Sequence, residues 1–342
     1  MNAEIVVFGA AGYSGLELLR ILVDHPAAKV VAASSSKWCG ERIARRVPRW
    51  RADHDDTFVD HDDAMRAATS GRIALLATPA EASLELAPQL LDRGLRVVDL
   101  SGAFRLRDAA LYPKWYGFEH SRPDLLHEAH YGLVDLVAPS PDARLVANPG
   151  CYATAAILGA APLVVQGLVR DDVPLIIDGK SGTTGAGRKA SEALLHAEVA
   201  ENMRPYRLSG HQHTPEIEQA LSRLAARPVV VSFAAHLVPM RRGIITSIYA
   251  PSSASASQDA CHRAYEHQYE HSKLVRYLSN ATPPETGAIA YTNCVDLCSV
   301  FDVRTGVVSA YSAIDNLVKG AAGQAVENLN LLLGLPKETG LS

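Results

Sequence analysis

The chain has 342 residues, of which 48% are hydrophobic and 20% are charged, and these values are ordinary for a globular protein with a large core. Its formal net charge of −4, with lysines and arginines scattered along the chain, argues against nucleic acid as a partner. The length favours two domains. The five cysteines are odd in number and show no C-x-x-C spacing, which favours reduced thiols in a cytoplasmic protein.

Neither a leader nor a membrane segment is expected. A first strand is predicted from Glu4, which leaves no room for a signal peptide before it. The most membrane-like stretch is 151–169, but it contains Thr154, Pro162 and Gln166. This stretch is therefore predicted to be a buried core helix.

The first half of the chain alternates strands and helices. Apolar runs predict strands over 4–9, 29–33, 72–77 and 96–100, with helices after the first strand and over about 81–92. This alternation is typical of a parallel sheet with helical crossovers. The fold class expected here is therefore α/β.

A glycine-rich turn joins the first strand to the first helix. Gly9, Gly12 and Gly15 have the spacing G-x-x-G-x-x-G, and Tyr13 and Ser14 lie between the last two. Glycine lets the backbone approach a pyrophosphate, which then lies at the helix N-terminus. We predict a dinucleotide site here, and the alternative is a purely structural turn.

The end of the second strand bears on the choice of cofactor. NAD-specific sites usually place an acidic residue there to bind the ribose 2′-hydroxyl. This chain instead has hydroxyls and a cation, in particular Ser34, Ser36 and Lys37. That pattern favours the 2′-phosphate of NADP, and the alternative is a polar loop without a role.

Cys151 follows a strand predicted over 145–147 and a sharp turn at Asn148-Pro149-Gly150, and it begins an alanine-rich helix. Backbone N–H groups at a helix N-terminus are unpaired and carry partial positive charge. A thiol in that position ionises more easily, and the same N–H groups can stabilise an oxyanion. We predict a nucleophile, whereas the alternative is a small buried hydrophobic residue.

The second half of the chain has longer separations between strands. Strands are predicted over 175–178, 228–235, 243–250, 298–303 and 307–313, and a helix from about 315 to 333. This pattern indicates an α+β domain with a more antiparallel sheet.

A second glycine loop spans 178–189. Four glycines and three hydroxyl side chains in this loop could wrap an anionic or planar ligand closely, and we expect Ser181 and Gly182 to contact the cofactor. Arg188 and Lys189 suit a phosphate or a carboxylate. The alternative is a plain loop before a capped helix.

His211, His213 and Glu216 form the best acid/base candidate. Thr214 is expected to cap a helix that begins at Pro215, so that both histidines would lie just before the helix. A histidine near a thiolate can exchange protons around neutral pH. The alternative is a metal site, which no third histidine or cysteine cluster supports.

Together these segments resemble the family of N-acetyl-gamma-glutamyl-phosphate reductases, the NADPH-dependent enzymes of arginine biosynthesis. The resemblance covers nearly the whole chain, and its most specific segments are 9–15, 99–105, 131–133, 148–154, 181–188, 211–217, 242–244 and 315–325. It implies an NADP-binding Rossmann domain over 1–150 with 313–342. It also implies a glyceraldehyde-3-phosphate-dehydrogenase-like α+β catalytic and oligomerisation domain over 151–312.

The resemblance also implies roles for particular residues. The family nucleophile falls on Cys151, and the family's His-x-His-x-Pro-Glu segment falls on His211, His213 and Glu216. Asn316 and Lys319 would reach the cofactor. Further candidates for binding the substrate carboxylate or phosphate, with ion pairs as the alternative, are Arg105, Arg188 and Arg242. One departure is that residues 79–81 are Pro-Ala-Glu where the family often has a histidine near the cofactor.

The implied reaction begins with attack of the Cys151 thiolate on the acyl phosphate carbonyl. Phosphate leaves, and hydride reduction of the resulting thioester releases N-acetylglutamate semialdehyde. His213 is the first choice as acid/base and His211 the second. No metal is expected.

Three rival functions share parts of this pattern. One is the lysine-biosynthesis reductase that acts on an amino-adipyl or glutamyl phosphate linked to a carrier protein. A second is aspartate-semialdehyde dehydrogenase, which the 211–217 and 101–105 segments disfavour. The third is a catalytically silent NADPH sensor, which an intact Cys151 disfavours. A homo-oligomer, dimer or tetramer, is expected for this chain.

Overall fold

The computed structural model describes residues 2–50, 56–208, 210–279 and 282–341. The chain divides into two compact units, of which the first comprises Met1–Gly150 with Ala321–Ser342 and the second Cys151–Gly320. Across the described ranges, no helix has both the length and the apolar character needed to cross a bilayer.

The first unit contains a parallel sheet. Its strands, within the described residues, are β1 Ala3–Phe8, β2 Ala28–Ala33, β3 Ile73–Leu76, β4 Arg96–Asp99, β5 His130–Tyr131 and β6 Leu145–Ala147. They lie in the order β2-β1-β3-β4-β6-β5, and each recorded pair is parallel. The chain leaves β1 toward β2 on one side and returns to β3 on the other. The carboxyl end of β1 is therefore a topological switch point, where such sheets bind ligands.

Helices cover both faces of this sheet. They are α1 Tyr13–Leu22, α2 His61–Ala67, α3 Ala80–Asp92, α4 Tyr112–Trp115 and α5 Pro123–Glu128. Alternate residues of β1 enter different clusters, with Ile5 and Val7 in one core and Val6 and Phe8 in the other. Burial on both faces explains why the sequence of β1 is a continuous apolar run.

The second unit is built on a mixed sheet. Its strands are β7 Leu175–Ser181, β8 Arg204–Tyr206, β9 Val231–Leu237, β10 Ile244–Pro251, β11 Val275–Tyr277, β12 Val295–Asp302 and β13 Val307–Ile314. Their order is β11-β12-β13-β10-β7-β9-β8. Four recorded pairs are antiparallel and two, β7 with β9 and β11 with β12, are parallel. The expected α+β character is confirmed.

One hydrophobic helix forms the centre of the second unit. The helices are α6 Cys151–Val165, α7 His196–Val199, α8 His213–Ala225 and α9 Gln258–Tyr269. Every residue of α6 from Tyr152 to Val164 is buried, as its predicted core position requires. The hydroxyls of Tyr265 and Tyr269 on α9 donate to the α6 carbonyls of Gly159 and Leu158.

The end of the chain differs from the expectation in two respects. After β13 the chain forms a π-helical turn, Val318–Ala322, and α10 extends only over Gly323–Leu332, whereas a helix was expected from about 315. The return to the first unit begins at Ala321 rather than at 313, because β13 pairs with β10 and β12 and keeps residues 307–314 in the second unit. Short 3-10 helices complete the fold at Ile43–Arg45, Ala109–Leu111, Thr183–Ala186 and Glu192–Leu194.

Candidate active site

The glycine turn after β1 has the geometry that close approach of a ligand requires. Gly9 has φ +77°, and a Cβ there would lie 2.5 Å from the carbonyl oxygen of Ala77. A Cβ at Gly15 would overlap the carbonyl oxygen of Gly9. Gly12 is the N-cap of α1, without a side-chain cap and without an acidic residue in the first turn. Such a helix start suits a pyrophosphate, so the turn fits the predicted nucleotide site.

Ser34 lies directly beside this turn. Its Oγ accepts a hydrogen bond from the N–H of Gly9 at 3.4 Å, and its backbone carbonyl accepts one from Ala10 at 2.9 Å. Ser34 is buried, whereas Ser36 and Lys37 are exposed. The first serine thus supports the glycine turn, while the other two remain available to a ligand.

Cys151 is the first residue of α6, as predicted from the sequence, and it is partly exposed. It borders a cavity of about 680 Å³ in the second unit. The loop 181–194 forms one side of the cavity, and residues 204–207 with 211–213 form another. Of the predicted site residues, those that line it are Cys151, Ser181, Gly182, Lys189, His211 and His213.

Both histidines lie at the start of helix α8. Helix α8 begins at His213, not at Pro215, and its N-cap is Gln212, so the expectation that Thr214 caps the helix is wrong. The turn preceding the helix is closed by a hydrogen bond from Thr214 N–H to the carbonyl of His211 at 2.8 Å. The backbone N–H of His213 donates to Nδ1 of His211 at 3.2 Å.

Aromatic rings surround His211. The ring centroids of Tyr152, Tyr206 and Phe233 lie 5.6, 5.7 and 5.2 Å from its own centroid. Burial lowers the pKa of His211 from 6.5 to about 4, and the positive charge of Arg207 adds to this effect. His211 is therefore neutral at pH 7. Because its Nδ1 accepts a hydrogen bond, its proton lies on Nε2.

His213 lies beside a buried carboxylate. Its Nε2 is 4.0 Å from Oε2 of Glu216, one helical turn further along α8. Glu216 is 0% exposed and His213 is 6% exposed. The cavity-lining His213 therefore has a carboxyl group beside it, an arrangement typical of an acid/base histidine.

Two tyrosines complete the wall behind the nucleophile. The Tyr152 hydroxyl donates to the carbonyl of His236 at 2.9 Å. Burial raises the pKa of Tyr206 to about 12, and the nearby Cys151 adds to this shift. Both phenols therefore remain protonated at neutral pH and can act only as neutral hydrogen-bonding groups.

None of the three predicted arginines is among the residues that line the cavity. Arg105 belongs to the first unit, where its Nε donates to the carbonyl of Asn148 at 2.8 Å and its Nη2 to that of Leu100 at 2.7 Å. Arg188 is exposed on the second glycine loop. Arg242 is 8% exposed, and its guanidinium stacks on Tyr291 at 4.4 Å. Their roles as substrate ligands stay predictions.

Sequence reasoning missed two other arginines. Arg204 and Arg207 line the cavity together with Lys189, and the described lining contains no aspartate or glutamate. Both arginines lie in the run Arg-Pro-Tyr-Arg, a few residues before the histidines. That proximity is the signal that could have identified them.

The remaining cofactor candidates are buried in the second unit. Lys319 is 0% exposed, and Asn316 is 2% exposed. The Asn316 side chain accepts from Gly243 N–H at 2.8 Å and donates to Thr184 Oγ1 at 3.0 Å. These bonds give Asn316 a structural task, and its contact with the cofactor stays a prediction. The described residues contain no group of three or more histidine, cysteine or acidic side chains suited to a metal ion.

Two family models match the chain, and together they cover both units. One is described as semialdehyde dehydrogenase, NAD binding domain, and matches residues 4–174; the other is described as semialdehyde dehydrogenase, dimerisation domain, and matches residues 151–316. A protein named N-acetyl-gamma-glutamyl-phosphate reductase from Desulforudis audaxviator is 43% identical over 99% of this chain and 97% of its own length. The chain belongs to the N-acetyl-gamma-glutamyl-phosphate reductase family.

Another member of the N-acetyl-gamma-glutamyl-phosphate reductase family, from Symbiobacterium thermophilum, is 43% identical over 100% of this chain and 98% of its own length. Membership confirms the predicted resemblance and the expectation of an oxidoreductase. The match to an NAD binding domain indicates a nicotinamide cofactor.

Solved structures support the same fold. Aspartate semialdehyde dehydrogenase II from Vibrio cholerae, complexed with ASA, has a TM-score of 0.74 and 14% identity over 98% of this chain and 99% of that chain. A probable aspartate-semialdehyde dehydrogenase from Pseudomonas aeruginosa has a TM-score of 0.71 and 20% identity over 97% and 99%. These likenesses confirm the expected fold class.

Proposed function

We propose that the protein reduces N-acetyl-gamma-glutamyl phosphate to N-acetylglutamate semialdehyde and phosphate, with NADPH as the reductant. The observation that carries the proposal is the placement of Cys151 at the start of α6, in one cavity with His211 and His213. Two relatives that this chain matches over almost their whole length are named as this reductase. Nucleophile, proton-transfer groups and family thus support one reaction.

Cys151 acts as the nucleophile. Its thiolate attacks the acyl carbon, phosphate leaves with the bonding electron pair, and an acyl thioester remains on the sulfur. The N–H groups of the first turn of α6 lie at the positive end of the helix dipole, which favours both the thiolate and the oxyanion that forms on attack. The reduced nicotinamide supplies a hydride when it is bound.

The environments of the histidines support separate roles. His211 is neutral, with its proton on Nε2, so it can donate a hydrogen bond to a developing oxyanion but does not readily accept a proton. His213 lines the same cavity and has the carboxyl group of Glu216 at 4.0 Å, so it is the histidine that we expect to exchange a proton with the substrate. We therefore assign general acid/base catalysis to His213 and oxyanion stabilisation to His211.

The charge of the cavity supports an anionic substrate. Lys189, Arg204 and Arg207 contribute three cationic side chains to the described lining, and no carboxylate opposes them. An N-acetylated glutamyl phosphate carries both a carboxylate and a phosphate, and arginine binds either group with paired hydrogen bonds.

NADPH is the cofactor that the first unit suits best. Gly9, Gly12 and Gly15 would hold the pyrophosphate at the N-terminus of α1, with Tyr13 and Ser14 in its first turn. Ser36 and Lys37 are exposed after β2 and offer a hydroxyl and a cation to a 2′-phosphate.

A homo-oligomer, dimer or tetramer, fits the matched domain that is described as a dimerisation domain. We also infer a cytoplasmic location, which the odd number of cysteines without C-x-x-C spacing favours.

Mass spectrometry tests the covalent step directly. The protein is mixed with N-acetyl-gamma-glutamyl phosphate in the absence of NADPH, digested, and its peptides are weighed. A mass gain equal to the acyl group on the Cys151 peptide supports the proposal, and an unmodified peptide contradicts it. The carrier-linked substrate is assayed in parallel, because turnover of that substrate alone would favour the lysine-biosynthesis alternative.

A further inference from the structure

A single buried carboxylate anchors three segments of the second unit. Asp315, directly after β13, is 0% exposed. Its Oδ1 accepts from the N–H groups of Leu317 at 2.8 Å and Val318 at 3.1 Å, and its Oδ2 accepts from Tyr291 N–H at 2.8 Å. The Arg242 guanidinium lies 3.3 Å from Oδ2. A buried carboxylate is tolerated when it is satisfied in this way, so these bonds hold the segment firmly.

The anchored segment leads to the back of the nucleophile. Gly320 N–H donates to the carbonyl of Asp315 at 2.9 Å and so closes a π-helical turn. A Cβ at Gly320 would lie 2.8 Å from Cβ of Cys151 and 3.2 Å from its Cα. Gly320 is therefore in direct contact with Cys151, and a larger residue at position 320 would displace Cys151. Single π-helical turns often occur at functional sites because they shift backbone position locally.

The next residue connects this anchor to the cavity loops. Asn316 bonds to Gly243 and to Thr184, and the Thr184 hydroxyl donates to the carbonyl of Arg241 at 2.7 Å. Thr184 lies on the loop that carries Ser181 and Gly182 into the cavity. Asp315 and Asn316 therefore join two segments in one hydrogen-bonded network: the 317–320 segment that contacts Cys151, and the loop that carries Thr184. Buried networks of this kind are rigid.

We propose that Asp315 is a positioning residue, which holds the Cys151 thiol in its reactive place through the 317–320 segment. The route from Asp315 to Cys151 runs through Gly320, whose N–H donates to the Asp315 carbonyl and whose Cα faces Cys151. Its effect on turnover rests on the proposed function, but its effect on the thiol itself does not. Catalysis is sensitive to position, since a displacement of about 1 Å can reduce a rate on the order of 100-fold.

The test uses Asp315→Asn, which keeps the shape and one oxygen but presents an amide N–H₂ group to donors. The first measurement is the rate of Cys151 alkylation by iodoacetamide from pH 6 to 9, read by mass spectrometry of the Cys151 peptide without substrate. We expect a pH–rate profile shifted from that of the unmodified protein, together with a fall in kcat of about 10- to 100-fold at little-changed KM.

Asp296→Asn is the matched control, because Asp296 is also buried and also pairs with an arginine, Arg276, at 2.7 and 2.8 Å. It should destabilise the fold without changing the alkylation profile. Gly320→Ala tests the same contact from the other side and should reproduce the effect of Asp315→Asn. An alkylation profile that is unchanged in folded Asp315→Asn, or changed equally in Asp296→Asn, overturns the proposal. Failure of the acylation experiment would instead reject the proposed function.

Discussion

The backbone N–H of His213 donates a hydrogen bond to Nδ1 of His211 at 3.2 Å, so the two imidazoles of the histidine pair are not equivalent. His211 is fixed as a neutral Nε2–H donor within aromatic rings, whereas His213 lies beside the buried Glu216. The sequence analysis placed His213 before His211 as the acid/base, and the surroundings of the two rings favour a different task for each.

The assigned tasks predict different pH profiles. His213→Asn should lower kcat by about 100- to 10,000-fold and remove one limb of the kcat pH profile, because the titrating acid/base is gone. His211→Asn should lower kcat by about 100- to 1,000-fold at every pH, since a neutral donor is lost. Steady-state rates across the pH range test both variants, and a lost limb in His211→Asn alone would reverse the assignment.

The lowered pKa of His211 also predicts a pH-dependent stability. The folded value of about 4 lies below the ordinary 6.5, so between them the unfolded chain binds more protons. The stability present above pH 6.5 is therefore lost as the pH falls toward 4, by at most about 3 kcal/mol. Urea unfolding of the protein and of His211→Gln should show a smaller pH slope in the variant. The exposed His267→Gln serves as the control, and an equal loss of slope there would contradict the prediction.

Loss of the nucleophile should abolish turnover without affecting the cofactor. We expect Cys151→Ser to lower kcat by about 1,000-fold or more, since removal of a nucleophile leaves only binding and oxyanion stabilisation. NADPH affinity, measured by fluorescence titration, should stay unchanged. Cys39→Ser, at an exposed position, is the matched control and should keep full activity. Substantial turnover in Cys151→Ser would refute the thioester route.

We expect the cationic side chains of the cavity to contribute to substrate binding. Arg204→Gln and Arg207→Gln should each lower kcat/KM by about 10- to 100-fold, because a charge-assisted hydrogen bond to the substrate is lost. Arg170→Gln removes an exposed arginine that pairs with Asp172 and does not line the cavity, so it should behave like the unmodified protein. If kcat/KM were the same in all three variants, the prediction that Arg204 and Arg207 bind the substrate would be wrong.

The residues after β2 predict cofactor preference. Lys37→Ala should weaken NADPH binding by about 10-fold and leave NADH binding unchanged, since only NADPH carries the 2′-phosphate. Lys29→Ala, an exposed lysine within β2, is the control. Dissociation constants for both cofactors provide the measurement, and parallel weakening of the two would argue against a 2′-phosphate contact.

Much of the fold could be predicted because burial leaves a strong pattern. Strands β1 and β3 are buried on both faces and form continuous apolar runs, and Cys151 follows a strand and a Pro-Gly turn that mark a helix start. These features depend on neighbours along the chain. Short edge strands such as β5 and β8 have too few residues to show a period and were not predicted.

The rest depends on contacts between distant residues. Asp315 and Asn316 have the composition of a helix start, but their side chains bond to Tyr291, Gly243 and Thr184, and α10 begins only at Gly323. The start of α8 at His213 is likewise set by the turn through His211. Arg204 and Arg207 enter the cavity because β8 pairs with β9, which no local pattern indicates.

The contact between Gly320 and Cys151 has a consequence for the modular construction of the chain. These residues are the last and the first of the second unit, so the two ends of that unit touch. The first unit consists of two chain segments, one ending at Gly150 and the other beginning at Ala321. Asn148 Nδ2 donates to the carbonyl of Ala321 at 3.2 Å, so these two segment ends are adjacent as well. The second unit is thus an insertion with abutting ends, which makes each unit a candidate for separate expression with a short peptide closing the gap.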